Sequence, residues 1–308
     1  MTAPRDHGGG LDDARACWGG REVDWLDLST GINPEPYPLP DISMRSWTAL
    51  PDREAEAALT DAARAFWRVP DGAGILAAPG ASALIARMPI VAPPGAIDIP
   101  GPTYNEHEAA FRAAGRKIGP GGPARVIVHP NNPDGRLWPL PGRGFTVIDE
   151  SFCDVVPDAS HIGAALEPDT VILKSFGKFW GLAGLRLGFA IGHPDVIARL
   201  GEALGPWPVS GPALAIGASA LRDTNWAAAT RRRLTRDAAR LDAMMMAHGT
   251  RVGGTDLFRL YEVPDAAGAQ DRLARHHVWS RIFPYSRSWI RLGLPPRDRW
   301  AQIEAALA

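Results

Sequence analysis

Short apolar runs alternate with helical patterns through the middle of the chain. Most of the runs are rich in β-branched residues and have Gly, Pro or Asn close by, as buried strands do. The six runs are Gly74–Ala78, Ile97–Pro100, Arg125–His129, Phe145–Asp149, Val171–Lys174 and Leu187–Ile191. Apolar residues at helical spacing predict helices over Arg53–Arg68, Ala81–Met88 and Asn105–Ala114. This alternation predicts an α/β layer fold with a mostly parallel sheet.

The pattern changes after Pro206, where the stretch PWPVSGP interrupts it. A long helix is predicted beyond it, with Leu234, Ala238, Leu241 and Met245 on one face. The elements predicted next are a strand over Leu257–Val263, a helix near Asp265–His277, a strand over Ser288–Gly293 and a helix over Pro296–Leu307 that has proline in its first turn. We therefore expect a large domain over residues 41–205 and a small α+β domain formed by 1–40 with 206–308.

Composition excludes several classes of protein. A net charge of −1 across 308 residues gives no strong electrostatic case for binding nucleic acid or an anionic membrane. No apolar run approaches the length of a membrane span, and the first residues do not resemble a signal peptide. Two cysteines, Cys17 and Cys153, cannot form a disulfide scaffold or a four-cysteine zinc site, so we expect free thiols in the cytoplasm.

Polar residues follow four of the predicted strands. Ligands in α/β sheets bind beyond the carboxyl ends of the strands, so these residues are candidates for a common site. The chain has only three lysines, Lys117, Lys174 and Lys178, and two of them lie at one strand end. The other candidates at the strand ends are Gly80, Ala81, Ser82, Asn132, Asp149, Ser175 and Arg186.

The chemistry of these residues matches one cofactor. Backbone amides at 80–82, with Ser175 and Arg186, suit a phosphate. Asp149 suits a protonated pyridine nitrogen, Asn132 a phenolate oxygen, and Lys178 an aldehyde. Phosphate, pyridinium, phenolate and aldehyde are the functional groups of pyridoxal 5′-phosphate, and a lysine with an acidic partner for the ring nitrogen is typical of its binding sites.

Three motifs in this order resemble the fold-type I pyridoxal-phosphate enzymes of the aspartate aminotransferase superfamily. They are HPNNPDG, VIDESF and KSFGKFWGLAGLRLGF. The resemblance extends over nearly the whole chain. It implies a homodimer and a cofactor bound at the interface of the large and small domains. No metal site is expected.

Two groups of that superfamily compete. HGGGL (His7–Leu11) and DLSTGINPEPYP (Asp27–Pro38) resemble threonine-phosphate decarboxylases of cobalamin biosynthesis. That resemblance implies decarboxylation of L-threonine O-3-phosphate to (R)-1-amino-2-propanol O-2-phosphate. The alternative is an aminotransferase acting on histidinol phosphate or a related phosphorylated amine. The sequence leaves the choice open, because both reactions use the same residues and differ in which bond is held perpendicular to the cofactor ring.

The resemblance also implies roles for further residues. Tyr104 would stack on the cofactor ring as part of the catalytic set with Lys178 and Asp149. Arg291 would receive the substrate carboxylate and Arg281 the substrate phosphate. His7 and Asn33 lie in N-terminal motifs expected to fold over the substrate.

The sequence departs from the family pattern at three positions. Phe152 and Leu50 stand where the family often has tyrosines, the second of which reaches the cofactor phosphate of the neighbouring subunit. Gly177 replaces a common serine. Outside the candidate site, we expect Lys174 to be structural or solvent-facing, and Arg231–Arg233 to form a solvated helix face.

Overall fold

The computed structural model describes residues 6–142 and 144–308. The described chain divides into two compact units. The large unit comprises Tyr37–Asn132 and Arg136–Ala228, and the small unit comprises residues 6–36, Pro133–Gly135 and Ala229–Ala308. No helix in the described ranges is both long and apolar enough to cross a lipid bilayer.

Strands and helices alternate along most of the chain. The strands are β1 (Leu26–Asp27), β2 (Gly74–Ala78), β3 (Ile97–Asp98), β4 (Ala124–Val128), β5 (Phe145–Asp149), β6 (Thr170–Ser175), β7 (Gly188–Gly192), β8 (Thr250–Thr255), β9 (Phe258–Glu262), β10 (Val278–Trp279), β11 (Arg281–Phe283) and β12 (Ser286–Gly293). The helices are α1 (Leu11–Trp18), α2 (Met44–Thr48), α3 (Arg53–Trp67), α4 (Ala81–Ile85), α5 (Met88–Val91), α6 (Asn105–Ala113), α7 (Pro194–Leu204), α8 (Gly211–Arg222), α9 (Thr224–Met245), α10 (Ala266–Arg275) and α11 (Trp300–Leu307).

The large unit is built on a six-stranded sheet in the order β2-β7-β6-β5-β4-β3. Strands β3 to β6 pair in parallel, whereas β7 is antiparallel to both of its neighbours. Every residue of β5 is buried, as expected for a strand covered on both faces. Because β7 runs the opposite way, its first residue, Gly188, pairs with both Ala78 and Ser175. Arg186 is therefore brought to the edge where β2 and β6 end.

The helices of the large unit pack against one another through small apolar side chains. The buried face of α3 contains Leu59, Ala62 and Ala63 at helical spacing, and α8 packs against α3. The contact is close, since a Cβ added at Gly217 of α8 would lie 2.8 Å from Leu59 Cδ1. The large unit therefore includes α8, and this division differs from the predicted limits of 41–205 and of 1–40 with 206–308.

The small unit contains a four-stranded antiparallel sheet in the order β11-β12-β9-β8, and a parallel pair of β1 with β10. Arg281 on β11 lies directly opposite Arg291 on β12. The predicted apolar face of α9 is confirmed, since Leu234, Ala238 and Leu241 are fully buried. The alternation predicted for the sheet is likewise confirmed, because each of the six apolar runs overlaps one of the strands β2 to β7.

Three helix predictions are corrected by the structure. The helix predicted over Ala81–Met88 divides into α4 and α5, with Pro89 in the first turn of α5. The final helix begins at Trp300 rather than at Pro296, because residues 296–299 form a turn closed by the Arg299 amide and the Pro296 carbonyl, 3.0 Å apart. The Arg231–Arg233 face is not uniformly solvated, since Arg233 is buried.

Candidate functional site

Gly80 and Arg186 form a cradle at one edge of the large sheet. Gly80 has φ +82°, and a Cβ there would lie 2.6 Å from Arg186 Nη2. Arg186 is exposed, has a left-handed backbone, and donates through Nη1 to the Ala183 carbonyl at 3.1 Å. The loop that leads to Ala81 and Ser82 thus places backbone next to a guanidinium where only glycine fits. This arrangement fits a phosphate group.

Ser175 ends β6 beside this cradle. Its hydroxyl oxygen accepts from the Gly177 amide at 3.2 Å, which starts the turn that contains Lys178. Gly188 pairs with Ser175 across the sheet, and a Cβ added at Gly188 would lie 2.4 Å from the Ala81 nitrogen. The structure therefore brings Ser175, Arg186 and the 80–82 loop to one sheet edge, as the sequence predicts.

Asp149 ends β5 and is buried, with three hydrogen bonds to its carboxylate. His107 Nε2 lies 2.8 Å from Oδ2, while Oδ1 accepts from the Ser151 amide at 3.0 Å and the Ser151 hydroxyl at 2.5 Å. Burial alone would raise the pKa of Asp149, but the hydrogen bonds from His107 and Ser151 outweigh it, and the pKa falls below its ordinary value. The carboxylate stays ionised, as the counterion of a pyridinium must.

His107 was missed by the sequence analysis, although one signal was present. It lies three residues after Tyr104, so that both side chains lie on one side of α6. Their ring centroids are 6.1 Å apart at an interplanar angle of 83°. Since His107 contacts Asp149 as well, it links the aromatic residue expected to stack on the cofactor with the acid expected to contact the ring nitrogen.

Asn131 joins the loop that precedes Tyr104 to the loop that follows β4. Its Oδ1 accepts from Thr103 Oγ1 at 2.7 Å, and its Nδ2 donates to the Pro102 carbonyl at 3.0 Å. The Asn131 amide also closes the loop by donating to the Arg136 carbonyl at 2.9 Å. Asn132 is half-buried beside it. Its predicted contact with the phenolic oxygen stays a prediction.

Lys178 lies in the turn between β6 and β7. It is half-buried, while its neighbours Phe179 and Trp180 are fully buried. Its Nζ lies 5.4 Å from the ring centroid of Phe152, the residue that stands where the family often has tyrosine. The aromatic ring is therefore retained at this position, whereas the tyrosine hydroxyl is absent. The solvent-facing alternative for Lys174 was wrong, because Lys174 is buried against Glu150.

The four predicted substrate residues lie in the small unit. Arg281 Nη1 donates to Asp6 Oδ1 at 2.5 Å and to the His7 carbonyl at 2.6 Å. Arg291 is buried and donates through Nη2 to the Ser29 carbonyl at 2.6 Å. Burial, together with the positive charge of Arg281, lowers the pKa of Arg291 to about 10. Two guanidinium groups on adjacent strands make a region that an anionic ligand would stabilise.

The N-terminal motif is held against this pair of arginines. The Gly9 amide donates to the Ser29 hydroxyl at 2.6 Å, and a Cβ on Gly8 would lie 2.5 Å from the Ser29 carbonyl oxygen. Ser29 thus connects HGGGL with Arg291. Asn33 is buried, and its Oδ1 accepts from Arg233 and from the Glu35 amide. Arg233 is buried by this contact with Asn33, so the expectation that Arg233 is solvated was wrong.

One group of described side chains has the spacing of a metal site. His129, Glu150 and Cys153 place their ligand atoms within 4.8 Å of one another. However, both His129 nitrogens already bond to backbone atoms, Nε2 to the Ala159 carbonyl and Nδ1 to the Trp138 amide. Glu150 accepts from the Lys174 ammonium at 2.6 Å. The group is therefore a satisfied polar network.

Comparison with known proteins identifies the family. The model for "Aminotransferase class I and II" matches residues 125–306. A threonine-phosphate decarboxylase from Sinorhizobium sp is 41% identical, over 96% of this chain and 95% of its own. Another from Pseudomonas aeruginosa is 37% identical, over 98% and 97%. The structure of histidinol-phosphate aminotransferase from Sinorhizobium meliloti in complex with pyridoxal-5′-phosphate has a TM-score of 0.83 at 17% identity, over 97% of this chain and 94% of that one.

These matches confirm the α/β fold-type I architecture that the motifs imply. The family model covers nearly all of β4 and the strands β5 to β12, and the two decarboxylases match along nearly the full length. The chain belongs to the class I and II aminotransferase family.

Proposed function

We propose that the protein is a pyridoxal-phosphate-dependent carboxy-lyase that decarboxylates L-threonine O-3-phosphate to (R)-1-amino-2-propanol O-2-phosphate in cobalamin biosynthesis. The main support is the pair of opposed arginines, Arg281 and Arg291, in a chain whose full-length relatives include two threonine-phosphate decarboxylases. Two guanidinium groups suit a substrate with both a phosphate and a carboxylate. Histidinol phosphate has only the phosphate.

The large unit would hold the cofactor. Lys178 is assigned to its aldehyde, Asp149 to its ring nitrogen, Asn132 to its phenolic oxygen and Tyr104 to the face of its ring. Its phosphate is assigned to Ser175, Arg186 and the loop of Gly80, Ala81 and Ser82. When bound, the cofactor supplies an electron sink for the pair that remains when the carboxylate leaves as CO₂.

The protein's own residues determine which bond breaks. Arg291 would bind the α-carboxylate and Arg281 the phosphate, so that together they orient the substrate about its α-carbon. The bond to the carboxylate must lie perpendicular to the cofactor ring, whereas an aminotransferase would place the Cα–H bond there. Asp149, held ionised by His107 and Ser151, would keep the ring nitrogen protonated. Lys178, in its protonated ammonium form, would then deliver the proton that replaces CO₂ on the α-carbon.

The assembly we propose is a cytoplasmic homodimer with His7 and Asn33 placed near the substrate. Four large apolar side chains in the segment 39–50 are exposed. They are Leu39, Met44, Trp47 and Leu50, with exposed fractions of 65%, 72%, 64% and 65%. Concentrated apolar exposure of this kind is typical of protein interfaces. Leu50 lies in this segment, at the position where the family often has a tyrosine that reaches the neighbouring subunit.

The decisive experiment omits any keto acid. The purified protein and pyridoxal phosphate are incubated with L-threonine O-3-phosphate, and the amine product and the cofactor's absorbance are followed. The proposal predicts many turnovers with the aldehyde form retained. Stoichiometric conversion to the amine form, or no reaction until histidinol phosphate and a keto acid are added, would establish the aminotransferase instead.

A further inference from the structure

A buried ion cluster lies where β5 ends with Asp149 and where β6 leads into the turn that contains Lys178. Lys174 Nζ is 2.6 Å from Glu150 Oε2 and 3.9 Å from Asp154 Oδ1. All three side chains are at most 5% exposed. Glu150 directly follows Asp149, and Lys174 precedes Lys178 by four residues.

Asp154 extends this cluster to the lysine turn. Its Oδ2 accepts from Trp180 Nε1 at 3.1 Å, and its Oδ1 accepts from Trp67 Nε1 at 2.9 Å. Trp180 is fully buried and lies two residues after Lys178. One carboxylate therefore fixes two indole rings, of which one is part of the lysine turn and the other belongs to α3.

The turn itself leaves Trp180 little freedom. The Trp180 ring is stacked against Phe176 at 5.0 Å and an interplanar angle of 8°, and against Trp226 at 5.3 Å and 12°. The Lys178 carbonyl accepts from the Gly181 amide at 3.1 Å. Tyr37, Phe66 and Phe179 also contact the indole at steep angles. The hydrogen bond to Asp154 is the polar contact that connects the indole, and with it the lysine turn, to the ion cluster.

Fold stability alone is a poor reason for such a cluster. Burying three charges has a large desolvation cost, and apolar residues of similar volume often serve stability as well or better. Glu150 is nevertheless fully engaged, because it also accepts from the Ser160 hydroxyl and the His161 amide, each at 2.6 Å. Burial alone would lower the pKa of Lys174, but the carboxylates of Glu150 and Asp154 outweigh it and raise the pKa.

We propose that Lys174, Glu150 and Asp154 are positioning residues that fix the Lys178 turn relative to the strand end of Asp149. The Lys174 ammonium contacts both carboxylates, one next to Asp149 and one bonded to Trp180. The inference rests on the proposed role of Lys178. In this proposal Asp154 has a role beyond packing, because it holds the Lys178 amine where a carbonyl group can reach it.

Two matched variants test this positioning. Trp180→Phe removes the hydrogen bond between Asp154 and the lysine turn but keeps an aromatic ring in the stack. Trp67→Phe removes the other indole donor from the same carboxylate, on a helix that does not include the lysine. Both changes replace a buried tryptophan and leave Asp154 with one donor fewer, so we expect similar losses in urea unfolding.

The readout is covalent capture of pyridoxal phosphate by the apoprotein. Borohydride reduction traps the adduct, and peptide mass mapping measures the rate at which it forms on Lys178. We expect Trp180→Phe to slow this rate about tenfold, the lower end of the roughly 10- to 150-fold that one hydrogen bond to a charged group contributes. Trp67→Phe should change the rate of adduct formation less than about twofold, because we expect the Trp67 ring not to determine the position of the lysine turn.

The outcomes separate two failures. Equal rates in the two variants, whether slowed or unchanged, would overturn the positioning role while leaving Lys178 as the site of attachment. An adduct in the native protein that maps to another residue, or no adduct at all, would overturn the proposed site and this inference with it.

Discussion

Replacing Gly80 with alanine tests the phosphate cradle. Gly80 has φ +82° and ψ 155°, a region that only glycine adopts readily, so alanine there costs about 1–3 kcal/mol of backbone strain. The new Cβ would also lie 2.6 Å from Arg186 Nη2 and 3.1 Å from Arg186 Cζ. Because the guanidinium is the flexible end of an exposed side chain, it would be displaced.

The size of the effect follows from the contact that is lost. A charge-assisted hydrogen bond contributes about 1.5–3 kcal/mol, so losing one from Arg186 to phosphate weakens cofactor binding roughly 10- to 150-fold. The assay is the Kd of pyridoxal phosphate for the apoprotein, measured by absorbance titration. Urea unfolding of the apoprotein measures the backbone strain separately.

Gly184→Ala is the matched control. Gly184 lies two residues before Arg186, and a Cβ there meets no heavy atom within 4 Å. This variant should bind pyridoxal phosphate with the native Kd. If Gly80→Ala also kept the native Kd, the assignment of Gly80 and Arg186 to the cofactor phosphate would be refuted.

Three further predictions concern charge and assembly. Asp149→Asn should be less stable than the native protein at neutral pH, because a carboxylate whose pKa is lowered stabilises the fold above about pH 4. Urea unfolding should show that this difference in stability vanishes in acid. A difference that stays constant with pH would contradict the assignment of Asp149 as an ionised carboxylate. Asp6→Asn should tighten the binding of inorganic phosphate about two- to fivefold, because the Asp6 carboxylate competes with phosphate for Arg281. Calorimetry measures this affinity, and weaker binding would mean that Asp6 instead orients the arginine. Trp47→Glu should shift the mass by light scattering from a dimer toward the 33.0 kDa monomer, and an unchanged mass would move the interface elsewhere.

The sequence predicts the central sheet well because its strands are continuous apolar runs. Phe145–Asp149 is predicted with the observed bounds of β5, and the whole strand is buried. The limits of α8 were harder to predict from the sequence, because GPALAIGASALR is apolar on most sides and has no single apolar face. Its packing against α3, a long-range contact, places it in the large unit.

The environment of charged residues could not be predicted in the same way. Lys174 and Arg233 lie in polar or strand-end patterns that read as solvated, yet both are buried with acidic partners. Their burial depends on Glu150, 24 residues away, and on Asn33, 200 residues away. The sequence predicts which residue types the site needs, whereas the contacts of His107 and Asp154 required the tertiary structure.

The most direct test of the proposed reaction uses L-threonine O-3-phosphate labelled in its carboxyl group. Labelled CO₂ is counted per protein subunit, with pyridoxal phosphate present and every keto acid excluded. We predict CO₂ release that continues far beyond one equivalent and disappears in Lys178→Ala. No labelled CO₂ while the cofactor accumulates in its amine form would contradict the account and identify a transaminase.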